Sequence, residues 1–432
     1  MPAIELILLL VAAAVGLGML ARWLKLPYPI LLVLGGLLIS VQPNAPRLTL
    51  EPSIVFVLFL PPLLYSGAFN TEWAAFRRNI RAISLLAIGL VLFTTAAVAY
   101  AAHTWCGLDW PAAFVLGAII SPPDAVAAMA VGKLVKLPPT VVTILEGESL
   151  VNDASALVAY RVAIAWVVSG TFSYADAGMD FIVASGGGIA LGIAAAWLVI
   201  RFHQWTRRLN LVDSKIGITL TLLTPYAIYI PAEHLHLSGV MAVVAAGMWV
   251  GHRVETVFTC EFFHEANAVW EWVEFLFNSL VFILIGLQLP VVLEQLGEQY
   301  DFRDLITMAC IITAVTIGTR LLWMFPGAYL PRMFDRHILG KPDPYPPLIF
   351  VCVTAWTGMR GVVSLAAALA LPLTINGGTP FPHRDLILFL TFWVIFATLV
   401  GQGLTLPWLV RMLGVDRHPL NVQPPETEPS AC

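Results

Sequence analysis

Thr143-Ile-Leu-Glu-Gly-Glu-Ser-Leu-Val-Asn-Asp-Ala-Ser-Ala-Leu-Val158 decides how this chain is read. Its apolar flanks make it long enough to cross a bilayer, yet its centre holds Glu146, Glu148, Asn152 and Asp153. Ionisable side chains at bilayer depth are expensive, and those that persist belong to ion pathways, proton relays or buried pairs. Glu148 and Asn152 are four residues apart, as are Ser149 and Asp153, so on a helix each pair shares one side. One stripe then offers Ser149 and Asp153 as oxygen ligands for a hard cation. The neighbouring stripe offers Glu148 to an arginine. Glu146 is nearer the cytoplasmic mouth and is expected to line a vestibule. A buried ion pair that only fixes packing is the bland alternative. It is disfavoured for Asp153 and favoured for Glu148, because a buried carboxylate without a partner is costly.

Composition agrees with a membrane setting. Of 432 residues, 59% are hydrophobic and 12% charged. Soluble domains carry roughly 25% charged residues, and a water-soluble fold could not hide this much apolar surface. The class is an all-α polytopic membrane protein. The formal net charge is -4 and no long basic run marks a nucleic-acid partner. The five cysteines show no metal-ligand spacing and are expected to be packing residues rather than a disulfide framework. No Walker loop or dinucleotide fingerprint occurs, so neither ATP nor a cofactor is expected. His234 and His236 are two apart with no third ligand, which disfavours a metal site. No convincing nucleophile–base pair occurs among the membrane motifs, so an enzyme is not expected.

Spans need about 20 apolar residues, fewer where a helix is broken. Thirteen candidates follow, at 4–22, 27–42, 51–69, 81–102, 110–131, 139–169, 179–200, 213–230, 237–251, 268–289, 304–326, 347–371 and 385–410. The first is expected to be retained rather than cleaved, since no basic residue precedes it. Odd-numbered loops and the C-terminal tail carry seventeen Lys and Arg, from Arg22 to Arg417, while even-numbered loops carry only Arg47, Arg303 and Arg384. The positive-inside rule then puts the C-terminus in the cytoplasm and the N-terminus outside, in the cell membrane. Arg253 to Trp272 mixes acids with aromatics and reads equally as an interfacial helix or as a linker into a span. The tail, 416–432, is polar, Pro-rich and expected to be disordered.

Two spans carry their own interruptions. The fifth contains Ser121-Pro122-Pro123-Asp124. Proline removes a backbone donor and clashes with an earlier carbonyl, so two in succession break the helix next to an acid. The bland reading makes Asp124 the cap of the second half, and it is compatible with a site. The twelfth contains Gly358-Met-Arg360-Gly361, where the glycines loosen the helix and the arginine needs carboxylates or carbonyl ends. Paired interruptions in two halves of a chain predict an inverted repeat, with the broken helices crossing near the membrane centre and the site between them. Arg320 lies within the eleventh span and cannot shed its proton, so it must find a carboxylate, with Glu148 the first candidate. Arg161, two turns beyond Asp153, is expected to face the outer aqueous funnel.

Taken in order, these motifs resemble the monovalent cation/proton antiporter family of sodium/proton exchangers. The landmarks are Leu60-Pro-Pro-Leu63, Ser121-Pro-Pro-Asp124, Glu148-Ser-Leu-Val-Asn-Asp153, Phe275-Leu-Phe-Asn-Ser-Leu-Val-Phe282, Arg320 ahead of Phe325-Pro326, and Gly358-Met-Arg-Gly361. The resemblance implies thirteen helices and a homodimer. It also implies a core of helices about 81–169 and 304–410, moving against scaffold helices about 4–69 and 179–289, with 179–200 readable as a linker instead. It implies that Asp153 is the carboxylate that takes both ion and proton, and that Asn152 before it marks the electroneutral branch. It pairs Glu148 with Arg320. Two departures stand out: Tyr65-Ser66-Gly67 lies where many relatives carry an acid, and Pro123 replaces a threonine that some relatives place before the aspartate.

The expected function is antiport of a monovalent cation, foremost Na⁺, against H⁺, with only these ions carried and membrane lipid around the protein. The alternatives are a K⁺/H⁺ antiporter, a cation-coupled symporter of a small organic solute and an ion channel. The core is sparse in the polar groups that a solute would need.

Overall fold

The computed structural model describes residues 3–40, 52–135, 139–171, 174–209, 213–254, 258–296, 300–338, 345–375 and 378–414. The tail, 416–432, lies outside them. Among the described residues thirteen helical segments follow in order, each matching one expected span. They are α1 (Ala3–Leu24), α2 (Tyr28–Ser40), α3 (Pro52–Phe69), α4 (Trp73–Cys106), α5 in two halves (α5a, Trp110–Ile120; α5b, Ala125–Val135), α6 (Pro139–Ser169) and α7 (Tyr174–Arg208). Then come α8 (Ser214–His234), α9 (Gly239–Gly251), α10 (Cys260–Leu296), α11 (Phe302–Ile338), α12 in two halves (α12a, Leu348–Trp356; α12b, Val362–Leu369) and α13 (Arg384–Leu413). A two-stranded antiparallel ribbon, Thr374–Ile375 with Thr379–Pro380, links α12b to α13. Seven of the helices are long and apolar enough to cross a bilayer on those criteria alone, and four more are shorter apolar helices. α8 and the broken α12 complete the set.

Several boundaries differ from the sequence reading. α4 starts at Trp73, eight residues before the expected span, with a turn that leaves Arg77, Arg78 and Arg81 exposed. It then passes through a π-helical turn, Leu85–Leu90, into its apolar stretch. The Leu85 carbonyl accepts a hydrogen bond from Trp323 Nε1 of α11 at 3.2 Å. Within the segment from Arg253 to Trp272, Cys260 opens α10, which continues without a break into its apolar stretch. Cys106, Cys310 and Cys352 are free. Cys260 is disulfide-bonded, a correction at that one residue, since spacing alone does not reveal pairing.

By contact the chain forms two compact units. One gathers the described residues of Met1–Pro52, Asn79–Phe172 and Asn278–Arg417. Here α4, α5 and α6 are followed, seven spans later, by α11, α12 and α13, and each trio has its broken helix in the middle. Seven is odd, so the second trio runs in the opposite sense, which is the inverted repeat. A core of Leu86, Leu90, Met324, Val351 and Ala355 joins α4, α11 and α12a. In the same unit α2 and α10 meet backbone to backbone, and a Cβ on Gly36 or Gly286 would collide with the facing chain. The smaller unit comprises Ser53–Arg78 and Ser173–Phe277, with α3, α7, α8, α9 and the start of α10. Contact grouping thus puts the first two helices and 278–289 with the ion-site helices, whereas the sequence reading assigns them to the scaffold.

Candidate functional site

The site grows out of the two breaks. α5a runs from its Asp109 cap, through Pro111 in the first turn, to Ile120. It ends there because Pro122 and Pro123 bring no N–H groups and disfavour helical geometry in the residue before each. α12a ends at Trp356, and five residues carry the chain to Val362. The two extended pieces cross: the Asp124 N–H donates to the Met359 carbonyl at 2.7 Å. Four helix ends therefore converge on one place. Two are N-terminal, with free N–H groups and partial positive charge, and two are C-terminal, with free carbonyls and partial negative charge.

Each kind of end has its counter-charge. Asp124 Oδ1 accepts from the Val126 N–H at 2.8 Å and so caps α5b. The backbone N–H groups of Ala127 and Val362 also face this carboxylate. They close no hydrogen bond of normal geometry to Oδ2, which is buried without a partner among the described residues. Gly361 is required by this approach, since a Cβ there would fall onto the Asp124 carboxylate. Arg360 serves the C-terminal ends. Its Nε donates to the Ile120 carbonyl at 2.7 Å and its Nη1 donates to the Gly358 carbonyl. Its backbone N–H donates to Thr398 Oγ1 at 3.1 Å, in the π-helical turn Thr398–Gln402 of α13. Arg360 is 1% exposed, so the carbonyl ends take the place of water around it.

α6 passes beside this crossing. Asn152 Nδ2 donates to the Pro123 carbonyl at 3.1 Å, and the Ala125 N–H donates to Ser149 Oγ at 3.4 Å. Asn152 Oδ1 is buried without a partner among the described residues. Asp153 is 6% exposed and lies close enough to Asp124 for the two charges to act on one another. Among the described residues, none donates a hydrogen bond to the Asp153 carboxylate. Glu148, on the neighbouring stripe, forms a two-pronged pair with Arg320. Nη1 reaches Oε1 at 2.5 Å and Nη2 reaches Oε2 at 2.9 Å, with both side chains 1% exposed. Arg320 also donates to the Thr354 carbonyl, at 3.3 Å from both Nε and Nη2, and Gly358 leaves room for its stem. Glu146 is half-buried and Arg161 is exposed.

The structure thus brings Asp124, Ser149, Asn152 and Asp153 together with Pro122, Pro123, Gly358, Arg360 and Gly361, and it places Glu148 on Arg320. Sequence reasoning missed Thr398 and the Ile120 and Thr354 carbonyls. Backbone carbonyls leave no sequence signal. Thr398 carries a weak one, as a polar residue inside an apolar helix. Chemically the site offers a carboxyl group given no donor by the described residues, neutral side-chain oxygens on the same helix, and backbone ends that are already engaged.

Residues 7–412 match the family described as sodium/hydrogen exchanger, transmembrane. The chain is 37% identical to an uncharacterized Na(+)/H(+) exchanger of Mycobacterium tuberculosis over 408 residues, 94% of this chain and 73% of that protein. It is 35% identical to a sodium, potassium, lithium and rubidium/H(+) antiporter of Bacillus pumilus over 415 residues, 93% of this chain and 60% of that one. The solved sodium proton antiporter MjNhaP1 of Methanocaldococcus jannaschii at pH 8 shares the fold, with a TM-score of 0.70 at 22% identity over 95% of this chain and 99% of that one. A family match across nearly the whole chain and relatives this similar make this multi-pass membrane protein a member of the sodium/hydrogen exchanger family, a family of transporters.

Proposed function

We propose that the protein exchanges one monovalent cation, foremost Na⁺, for one H⁺ across the cell membrane, with Asp153 as the carboxylate for which the two compete. The observation that carries this reading is the Asp153 side chain, nearly enclosed within α6 and given no hydrogen-bond donor by the described residues. A buried carboxylate in that condition is costly as an anion. A proton or an alkali ion each removes the cost. The core then crosses the low-dielectric barrier when Asp153 is occupied and crosses poorly when it is empty, which is the rule that makes exchange obligatory.

Ser149 and Asn152 would add neutral oxygens to the bound ion. Asp124 would hold the crossing through Oδ1 and lend Oδ2 to the site. Glu148 and Arg320 would remain a structural pair, with Pro122, Pro123, Gly358, Arg360 and Gly361 supporting the breaks. With one carboxylate changing occupancy, no net charge moves, and the membrane potential, worth about 2.3 kcal/mol per charge per 100 mV, would not drive the cycle. We assign the moving core to helices about 81–169 and 304–410, working by alternating access in a homodimer, with the C-terminus in the cytoplasm.

The test is dissipation of a pH gradient in proteoliposomes, titrated with each alkali cation in turn. Saturable exchange that Na⁺ supports and Asp153→Asn abolishes is expected. Retained exchange in that variant would remove the role given to Asp153. Dependence on an imposed potential would defeat the 1:1 stoichiometry. A broader selectivity that includes K⁺ is the second reading, supported by the printed name of the Bacillus pumilus relative. Equal rates with K⁺ and Na⁺ would favour it.

A further inference from the structure

The start of α4 is chemically unlike the rest of that helix. Trp73–Ser84 holds Arg77, Arg78 and Arg81 and no acid, whereas Leu85–Cys106 holds no Lys, Arg, Asp or Glu at all. The exchange cycle proposed above uses none of these arginines. Arg81 lies four residues from Arg77 and three from Arg78, so helical period puts the three on one face. All three side chains are exposed, while Ala75, Phe76 and Ile83 are buried. Trp73 packs the first turn onto the smaller unit. Its ring stacks on Phe76 at 6.1 Å and lies 6.2 Å from the His252 ring, just after α9.

Depth decides what these arginines meet. The helix runs 34 residues from Trp73 to Cys106, or about 51 Å at 1.5 Å per residue. The hydrocarbon core is only about 30 Å thick, so α4 overshoots it by about 20 Å. At the far end His103 and exposed Trp105 suit the membrane–water interface. Counting back about 20 residues from Ala102, the number that spans the core, puts its near edge close to Ile83. Arg81 is then at that edge, and Arg77 and Arg78 are one to two turns farther out, within reach of the headgroup phosphates.

The arginines are also unspent. Among the described residues neither Arg77 nor Arg78 has a hydrogen-bond or ion-pair partner. A guanidinium stays charged and presents paired N–H groups that match two oxygens of a phosphate. Trp73 and Ile80 are exposed on the same helix, and apolar side chains beside a cationic face suit the boundary between headgroups and acyl chains. Charge, depth and apolar edging together complement an anionic lipid surface.

We propose that Arg77 and Arg78, with Arg81 one turn further along the helix, bind the headgroups of anionic phospholipids at the membrane face where α4 begins. The bound lipid holds the start of α4 at the bilayer surface. This site takes no part in ion binding and stands or falls separately from the antiport reading.

The test uses the full-length chain in detergent micelles, with short-chain phosphatidylglycerol, the matching phosphatidylcholine and inorganic phosphate as separate ligands. Binding is read by native mass spectrometry, with thermal unfolding as a second readout. Phosphatidylglycerol is expected to bind and to raise the unfolding temperature, and the other two are not. Arg77→Gln with Arg78→Gln should weaken its binding by about 25-fold, or about fivefold for each basic charge lost at the surface. Arg77→Lys with Arg78→Lys keeps the charge and should lose less. Arg22→Gln with Arg411→Gln removes two exposed charges at the ends of α1 and α13 and should leave binding unchanged. If the first glutamine pair does not fold, the lysine pair and the single variants carry the comparison. Equal binding of the two lipids, displacement by inorganic phosphate at equal concentration, or the same loss from both glutamine pairs would overturn the site and leave these arginines to the positive-inside bias alone.

Discussion

Asp124 and Asp153 are two acids of one site in opposite circumstances. Asp124 is held by a helix N-terminus, its Oδ1 capped at 2.8 Å by the Val126 N–H and its carboxyl set against the start of two half-helices. Asp153 stands beside it in an unbroken helix with no donor from the described residues. The difference teaches how one fold separates architecture from chemistry. One carboxyl is placed where backbone ends hold it. The other is placed where the described residues give it no donor. Arg360 and Arg320 are both buried as well, Arg320 paired with Glu148 and Arg360 donating to helix-end carbonyls.

That contrast is broken most directly at the two acids. Asp153→Asn is expected to abolish cation-dependent proton flux in proteoliposomes while the protein inserts and unfolds as stably as the parent. Asp124→Asn should lower the unfolding temperature as well as the flux. If the two variants exchange these phenotypes, the assignment of roles fails. Next in size is the Glu148–Arg320 pair. Arg320→Met should destabilise by about 3–5 kcal/mol, because it strands a buried carboxylate. The double variant Glu148→Leu with Arg320→Met should recover much of that loss in denaturant or thermal unfolding. A double variant no better than the single would mean that Arg320 works mainly through Thr354.

Gly361→Ala sharpens the comparison at the crossing itself. Its methyl group would displace the Asp124 carboxylate, with an expected cost of about 1–3 kcal/mol in stability and a matching fall in exchange rate. Gly401→Ala, at a position with open space, should have little effect on either measurement. The smallest expected effect belongs to Thr398→Val. It removes the oxygen that accepts the Arg360 N–H at 3.1 Å and should cost about 1 kcal/mol. Unchanged stability there would show that the carbonyl ends alone hold Arg360.

Much of the architecture is legible in the amino-acid sequence. Bilayer thickness imposes a length on every span, so thirteen segments can be counted, with errors confined to ends such as the start of α4 at Trp73. The breaks are legible because proline and glycine act locally on the backbone. The register of Ser149 with Asp153, and of Glu148 with Asn152, follows from helical geometry alone. The partners are less legible. Arg320 meets Glu148 across 172 residues, and that pairing rests on charge arithmetic and resemblance rather than on any local signal. Ser66 meets Glu274 across 208 residues and carries no signal at all. The Ile120, Gly358 and Thr354 carbonyls exist in every sequence and acquire meaning only where helices end.

The amino-acid sequence by itself determined that this is a polytopic helical membrane protein with two interrupted spans and a stripe of carboxylates, because hydropathy, proline chemistry and helical period are properties of neighbouring residues. Only the tertiary structure decided which acid is tied and which is bare. Hydrogen-bond satisfaction depends on groups brought together from distant parts of the chain, and no local pattern encodes it.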